Sequence, residues 1–240
     1  MARDGTIAGD VGPATYAAWR ASTLGAVTEA IEHRLVLEFT GDVAGRAVLD
    51  VGCGDGALVL AARKRGAQST GFDADRRMLT AACKRADAVG VPSTFVEGRA
   101  ERLPFPDCSF DVVLAVTVLC FVSDGAGAVR EMARVLRPDG RLVIGELGKW
   151  SLWAAHRRVR GWLGVRTWRT ARFRTASELR ALVEQAGLVK RDVRGAVYYP
   201  PLGALARLMA PVDALFARLT TVGAAFIVVQ AVRPLSLRIT

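Results

Sequence analysis

The run Val48-Leu49-Asp50-Val51-Gly52-Cys53-Gly54-Asp55-Gly56 constrains this chain more than any other segment. A short β-branched stretch ends on an acid and enters a turn with glycine at three alternate positions. The residues that follow, Ala57 to Arg65, have the spacing of a helix. A buried strand that runs through a turn free of side chains into a helix N-terminus exposes backbone N–H groups that a ligand can approach closely.

The rest of the sequence repeats the strand–helix alternation. Strands are expected at Ala47–Val51, Ser69–Phe72, Ser93–Glu97, Phe110–Ala115 and Arg141–Gly145, with helices at Ala57–Arg65, Asp75–Val89 and Ala126–Leu136. The last helix should stop at Arg137-Pro138-Asp139-Gly140, where Pro and Gly end helices. Such alternation implies a parallel sheet covered by helices on both faces. Before this core, Thr15 to Phe39 reads as mostly helical. After it, Thr175 to Gly187 reads as a helix with Ser177 as its N-cap, Val189 to Tyr199 as a strand, Leu202 to Leu219 as a helix and Ala224 to Val232 as a closing strand.

Composition narrows the function classes. Hydrophobic residues make up 51% of 240 positions, enough for a sizeable core. Cys53, Cys83, Cys108 and Cys120 are scattered, and His33 and His156 are the two histidines, so no metal-ligand spacing exists and no metal site is expected. The two longest apolar runs, 112–122 and 222–232, are each 11 residues, where a membrane helix needs about 20. No secretory signal is read at the N-terminus, and the thiols fit a reducing, cytoplasmic compartment. The net charge of +10 is uneven: residues 1–150 hold 18 Lys/Arg against 19 Asp/Glu, and residues 151–240 hold 15 against 4. The excess of cations therefore bears on partners of the C-terminal part.

The glycine turn alone is ambiguous. Gly52, Gly54 and Ala57 also satisfy the relaxed dinucleotide fingerprint, and Asp73 stands about 20 residues further on, as a nicotinamide site requires. Four blocks in order separate the readings: Val48–Gly56; Gly71-Phe72-Asp73-Ala74-Asp75-Arg76-Arg77-Met78-Leu79; Leu103-Pro104-Phe105-Pro106-Asp107-Cys108-Ser109-Phe110-Asp111; and the run from Ala128 to Leu142, which contains Arg137-Pro138-Asp139-Gly140. Together these resemble the class I S-adenosylmethionine-dependent methyltransferases of the type 11 group, which includes ubiquinone and menaquinone biosynthesis enzymes.

The resemblance implies a Rossmann-like α/β fold: a seven-stranded, mostly parallel sheet with helices on both faces, within one domain over 1–240. Residues 1–44 would form an N-terminal helical extension, 45–147 the cofactor core, and 148–240 a lid, the last helix and strands, and a helical insertion covering the substrate. It implies S-adenosylmethionine as cofactor and S-adenosylhomocysteine as product. By position, Asp50, Gly52, Cys53, Gly54 and Gly56 would form the cofactor loop, Asp73 with Ala74 would hold the ribose, and Met78 would pack on adenine. Ala100, Glu101, Val116 and Phe121 would complete the cofactor site. Where relatives often carry Asp before the Leu-Pro-Phe block this chain has Arg99, which donates only, so Glu101, a backbone carbonyl or packing would serve adenine instead.

Candidates on the acceptor side are Glu146 at the end of the fifth strand, Tyr16 and His156. The acceptor implied is small and apolar or aromatic. Non-methylating use of the same cofactor, and a cofactor-binding protein without turnover, remain alternatives. The segment Lys149 to Arg174 holds four of the five tryptophans among arginines. It suits a lid over a flat or anionic ligand, and also peripheral contact with an anionic membrane; nucleic acid ranks low, since no recognised module is present.

Overall fold

The computed structural model describes residues 12–235. Seven strands form one sheet: β1 (Ala47–Val51), β2 (Gln68–Asp73), β3 (Thr94–Glu97), β4 (Phe110–Val116), β5 (Leu136–Leu147), β6 (Val189–Ala196) and β7 (Phe226–Val232). Their order across the sheet is β3-β2-β1-β4-β5-β7-β6. The pairs from β3 to β5 are parallel, and β7 runs antiparallel to both β5 and β6. This is the mostly parallel, seven-stranded sheet that the resemblance implied.

Central strands buried on both faces alternate their side chains between two cores. Leu49, Val51, Val113, Ala115, Leu142 and Ile144 enter one. Val48, Val112, Leu114 and Val143 enter the other. Helices α5 (Gly125–Val135) and α8 (Ala176–Gln185) cover the first through Val129, Met132, Leu179 and Val183. Helices α2 (Thr23–Thr40) and α3 (Ala57–Lys64) cover the second through Ile31, Leu35, Phe39 and Leu58, with α9 (Gly203–Leu219) adding Ala206. Helix α4 (Arg76–Ala88) packs between β2 and β3.

Three local expectations are corrected. The N-terminal helical region is two helices, α1 (Pro13–Ala21) and α2, broken at Ser22, whose extended backbone lets its hydroxyl cap α2 by accepting from Gly25 N at 3.1 Å. The break brings the Gly25 Cα so close to the Trp19 carbonyl that a Cβ there would lie 2.0 Å from its oxygen. The N-cap of α8 is Thr175, not Ser177: its hydroxyl accepts from Glu178 N while the Glu178 carboxylate accepts from Thr175 N, the reciprocal pair of a capping box. The Arg137–Gly140 turn lies inside β5 as a bulged lead-in, where the register against β4 shifts between Phe110 and Val112 and Asp139 takes a positive φ of 62°.

Because β1, β2, β4 and β5 are parallel, their C-terminal ends meet at one edge, where ligands bind in open α/β sheets. Beyond β5 the chain makes α6 (Leu152–Trp162) and α7 (Arg166–Thr170) and returns to where it left. Lys149 N donates to Arg174 O and Arg174 N to Leu147 O, at 2.9 and 3.0 Å, closing the base of this lid.

Candidate cofactor and acceptor site

The glycine turn is the floor of the site. Gly52, Gly54 and Gly56 have φ of 74°, 54° and 79°, a region costly for residues with a Cβ. Gly52 N and Cys53 N both donate to Phe72 O, at 2.7 and 3.0 Å, fastening the turn to β2. A Cβ on Gly52 would lie 2.6 Å from the Val118 side chain, whereas one on Gly54 would meet nothing within 4 Å. Gly52 is thus required by packing. Gly54 instead keeps open space above the N-terminus of α3.

Two acids flank that space. Asp73, at the end of β2, accepts from Gly54 N and Asp75 N, each at 2.8 Å. Burial raises its pKa, while those N–H groups oppose the rise. Asp50, at the end of β1, is 3% exposed, and burial together with the charge of Asp73 pushes its pKa up to about 7. Carboxyls so placed favour a ligand that brings positive charge and hydroxyl donors. Cys53 is buried beside them, and burial raises its thiol pKa.

The N-terminal helices close one side. Arg20 donates to both Asp55 oxygens at 2.6 and 3.0 Å and to Glu29 at 2.6 Å, and Arg85 also contacts Asp55. Burial alone would raise the Asp55 pKa, but hydrogen bonds and charge from Arg20, with Arg85, hold it below the usual range. Tyr16 stacks on Trp19 and lies under the Arg20 guanidinium, 4.7 Å from ring centroid to Cζ. Burial, then Glu29 and Glu32, push its pKa up to about 12, so it stays a donor at neutral pH.

Beyond β4, Thr117 has a φ of 51°, and its N–H donates to Gly145 O at 2.7 Å. Glu146 is fully buried and accepts from Cys120 N and Leu147 N at 3.2 and 3.3 Å. Burial pushes its pKa up to about 7 against the pull of Arg174, which itself donates to Leu119 O at 2.9 Å. With no exposed surface and both oxygens engaged, Glu146 shapes the loop after β4 rather than facing a ligand. His156 is exposed on α6. Phe121 packs against Trp168 of the lid, 6.4 Å between centroids.

Val116 ends β4 half-buried, Met78 lies half-buried in the first turn of α4, and Ala74 is exposed beside Asp73. Ala100 is buried, and Glu101 accepts from Arg99 and from Ser123 Oγ, each at 3.3 Å. Glu101 is thus tied to Arg99 and Ser123 at the end of the segment after β3.

Sequence reading missed the Arg20–Asp55–Arg85 cluster, Arg174 beneath Glu146, and the strained Thr117. Asp55 was the available signal, an acid inside a glycine turn, but nothing in the sequence names its partners.

The residues fit S-adenosylmethionine. Gly54 leaves open space, the α3 N-terminus would suit a carboxylate, and Asp50 and Asp73 would suit cationic and hydroxyl groups. Comparison with known proteins agrees. The family described as a methyltransferase domain matches residues 49–144. A demethylmenaquinone methyltransferase of Tropheryma whipplei (strain Twist) is 42% identical over 117 residues, 48% of this chain, and the chain spans about half (47%) of that relative's length. A ubiquinone biosynthesis O-methyltransferase of Idiomarina loihiensis is 33% identical over 173 residues, covering 68% of this chain and 70% of the relative. The fold matches the crystal structure of a SAM-dependent methyltransferase from Thermotoga maritima with a TM-score of 0.67 at 23% identity, over 91% of this chain and 94% of the other.

Proposed function

The chain belongs to the class I S-adenosylmethionine-dependent methyltransferases of the type 11 group, and from that premise we propose that it methylates a small apolar or aromatic acceptor. Gly54 carries the reading: it is the one glycine of the turn whose missing side chain relieves no protein contact and serves a ligand instead. The names of the two relatives favour a hydroxylated ring of the quinol type.

When bound, the cofactor would supply an electrophilic methyl on a sulfonium, leaving as S-adenosylhomocysteine. The chain's own residues bind and orient. N–H groups at the start of α3 would receive the carboxylate, Asp50 the ammonium group and Asp73 both ribose hydroxyls. Met78, Val116 and Ala100 would flank adenine, and Glu101 would accept from its amino group. Tyr16 is a hydrogen-bond donor over the amino-acid end. Glu146 is a positioning residue, and His156 has no part in transfer. The lid excludes water and fixes the acceptor's approach.

Incubation with S-adenosylmethionine and a panel of phenols, catechols and hydroquinones tests this. It predicts S-adenosylhomocysteine together with a product heavier by one methyl group. Cofactor binding without mass gain on any acceptor would favour the non-methylating or binding-only readings.

A second reading concerns where the acceptor is met. Trp150, Leu152, Trp162, Leu163, Leu208, Leu215, Leu219 and Val222 are well exposed on the lid, α9 and the adjoining turn. Gly223 N donates to Trp150 O at 2.9 Å, joining the end of α9 to the start of the lid. Apolar side chains in the part of the chain that carries the excess cations suit an anionic bilayer surface, although among the described residues no helix is long and apolar enough to cross one. Co-sedimentation with phosphatidylglycerol vesicles but not phosphatidylcholine vesicles is the expected outcome; equal sedimentation or none contradicts it.

A further inference from the structure

The lid carries a groove that the cofactor site does not use. It lies between α6 and α7, encloses about 570 Å³, and has Arg158, Trp162, Trp168, Arg169 and Phe173 in its walls. Two glycines make it. Arg158, Gly161 and Trp162 share one face of α6 at helical spacing. Gly161 lets α7 come close there, since a Cβ on it would lie 3.0 Å from the Trp168 carbonyl. Gly164, between the two helices, has a φ of 99° and leaves open space where a side chain would stand.

The two cations of the groove are unmatched. The Arg158 guanidinium stands 5.1 Å from the Phe173 ring centroid, and Arg169 is exposed. Neither makes a hydrogen bond or ion pair among the described residues. Other arginines are matched: Arg134 with Asp107, Arg137 with Asp111 and Arg194 with Glu38. The lid sequence supplies no counter-ion, because residues 147–177 contain eight Lys/Arg and no Asp or Glu. An arginine stacked on a ring keeps its in-plane N–H groups free for a pair of anionic oxygens.

Beside these cations the surface is apolar. Trp162 is 85% exposed and Leu163 80%. Such side chains next to uncompensated cations fit the boundary of an anionic bilayer, with the indole and the leucine among the acyl chains and the guanidinium groups at the depth of the phosphates. A small soluble anion would leave Trp162 and Leu163 in water. A zwitterionic headgroup would bring its own ammonium against the arginines. Trp168 also packs against Phe121, 6.4 Å between centroids, so a ligand in the groove sits one indole away from the loop after β4.

We propose that the α6–α7 groove binds the phosphate of one anionic glycerophospholipid between Arg158 and Arg169, with Trp162 and Leu163 inserted beside its chains. The site rests on the bilayer reading given above and supplies that reading with a headgroup pocket.

Exchange of Arg for Lys keeps every charge and removes the N–H fork, which separates a headgroup site from diffuse attraction. The test is co-sedimentation with phosphatidylglycerol and phosphatidylcholine vesicles at physiological ionic strength, for the wild type and for Arg158→Lys, Arg169→Lys and Arg160→Lys. Arg160 is exposed on the same helix and lies outside the groove. Arg158→Lys and Arg169→Lys should each bind phosphatidylglycerol vesicles about tenfold more weakly, as losing one charge-assisted hydrogen bond implies. Arg160→Lys should bind as the wild type does, and S-adenosylhomocysteine affinity should be unchanged in all three. Arg169 is exposed and unpaired, so Arg169→Lys carries the test alone if Arg158→Lys does not fold. Equal vesicle binding by all three variants, displacement by excess inorganic phosphate, or retention on heparin that weakens with the same two variants would overturn the groove as a lipid site. Wild-type protein that sediments with neither vesicle, or equally with both, would instead contradict the bilayer reading itself.

Discussion

Arg20 holds both carboxylate oxygens of Asp55 across 35 residues of sequence, at 2.6 and 3.0 Å. One partner ends the first helix and the other stands inside the glycine turn, so the contact locks the N-terminal helices onto the cofactor floor. Their side chains are 16% and 10% exposed, between the regimes of surface and buried pairs. Arg20→Ala should cost about 2–3 kcal/mol in chemical denaturation and weaken S-adenosylmethionine binding, because Tyr16 loses its support. Unchanged stability would show that the contact is incidental.

The glycines of the turn should separate by function. Gly54→Ala adds backbone strain of about 1 kcal/mol and meets no protein atom within 4 Å. It should fold and lose about tenfold or more in cofactor affinity, because its methyl enters the cradle. Gly52→Ala should lose more stability, since its Cβ would lie 2.6 Å from Val118. Thermal melts read beside calorimetry distinguish the two losses.

Asp50 links the site to pH. Its folded pKa is raised to about 7, whereas an unfolded Asp titrates near 3.9. The folded protein therefore keeps a proton that the unfolded chain loses between about pH 4 and pH 7. This contribution to stability is intact below about pH 4 and is lost as pH rises through about 7. Asp50→Asn should flatten that decline in melting temperature. An ammonium ligand favours the ionised carboxyl, so cofactor binding near pH 6 should release a proton. Binding enthalpies that vary with the buffer's ionisation enthalpy, and cease to vary in Asp50→Asn, are expected.

Glu146→Ala removes the acceptor for Cys120 N and Leu147 N and the carboxylate that the buried Arg174 attracts. A loss of about 3 kcal/mol of stability is expected from breaking such a buried arrangement, read in urea denaturation. His156→Ala, on the exposed side of α6, should leave both stability and methyl transfer unchanged; a drop in transfer would return His156 to the site.

Local chemistry made most of the fold legible. The β-branched runs of β1 and β4 and the glycines at 52, 54 and 56 follow from strand burial and from backbone angles that only glycine adopts cheaply. What stayed hidden depends on distant partners. The break at Ser22 arises where α2 gains a cap and Trp19 closes on Gly25, and helical periodicity alone reads straight through it. Thr175 displaces Ser177 as a cap because only Thr175 stands three residues before a glutamate that can reciprocate. Glu146 looks like an acceptor-side acid at the end of a strand, and only the return of Arg174 beneath the lid shows it to be enclosed. Arg20 with Asp55 is a pairing that tertiary structure makes and periodicity does not mark.

The most direct test is calorimetric titration of the purified protein with S-adenosylmethionine, S-adenosylhomocysteine and NADH in parallel, repeated with Asp73→Ala. The account predicts one site for each sulfur nucleoside, no binding of NADH, and about hundredfold weaker nucleoside binding in the variant, as befits losing a carboxylate that accepts two hydroxyls. NADH binding without the sulfur nucleosides, or an Asp73→Ala protein with unchanged affinity, would contradict it.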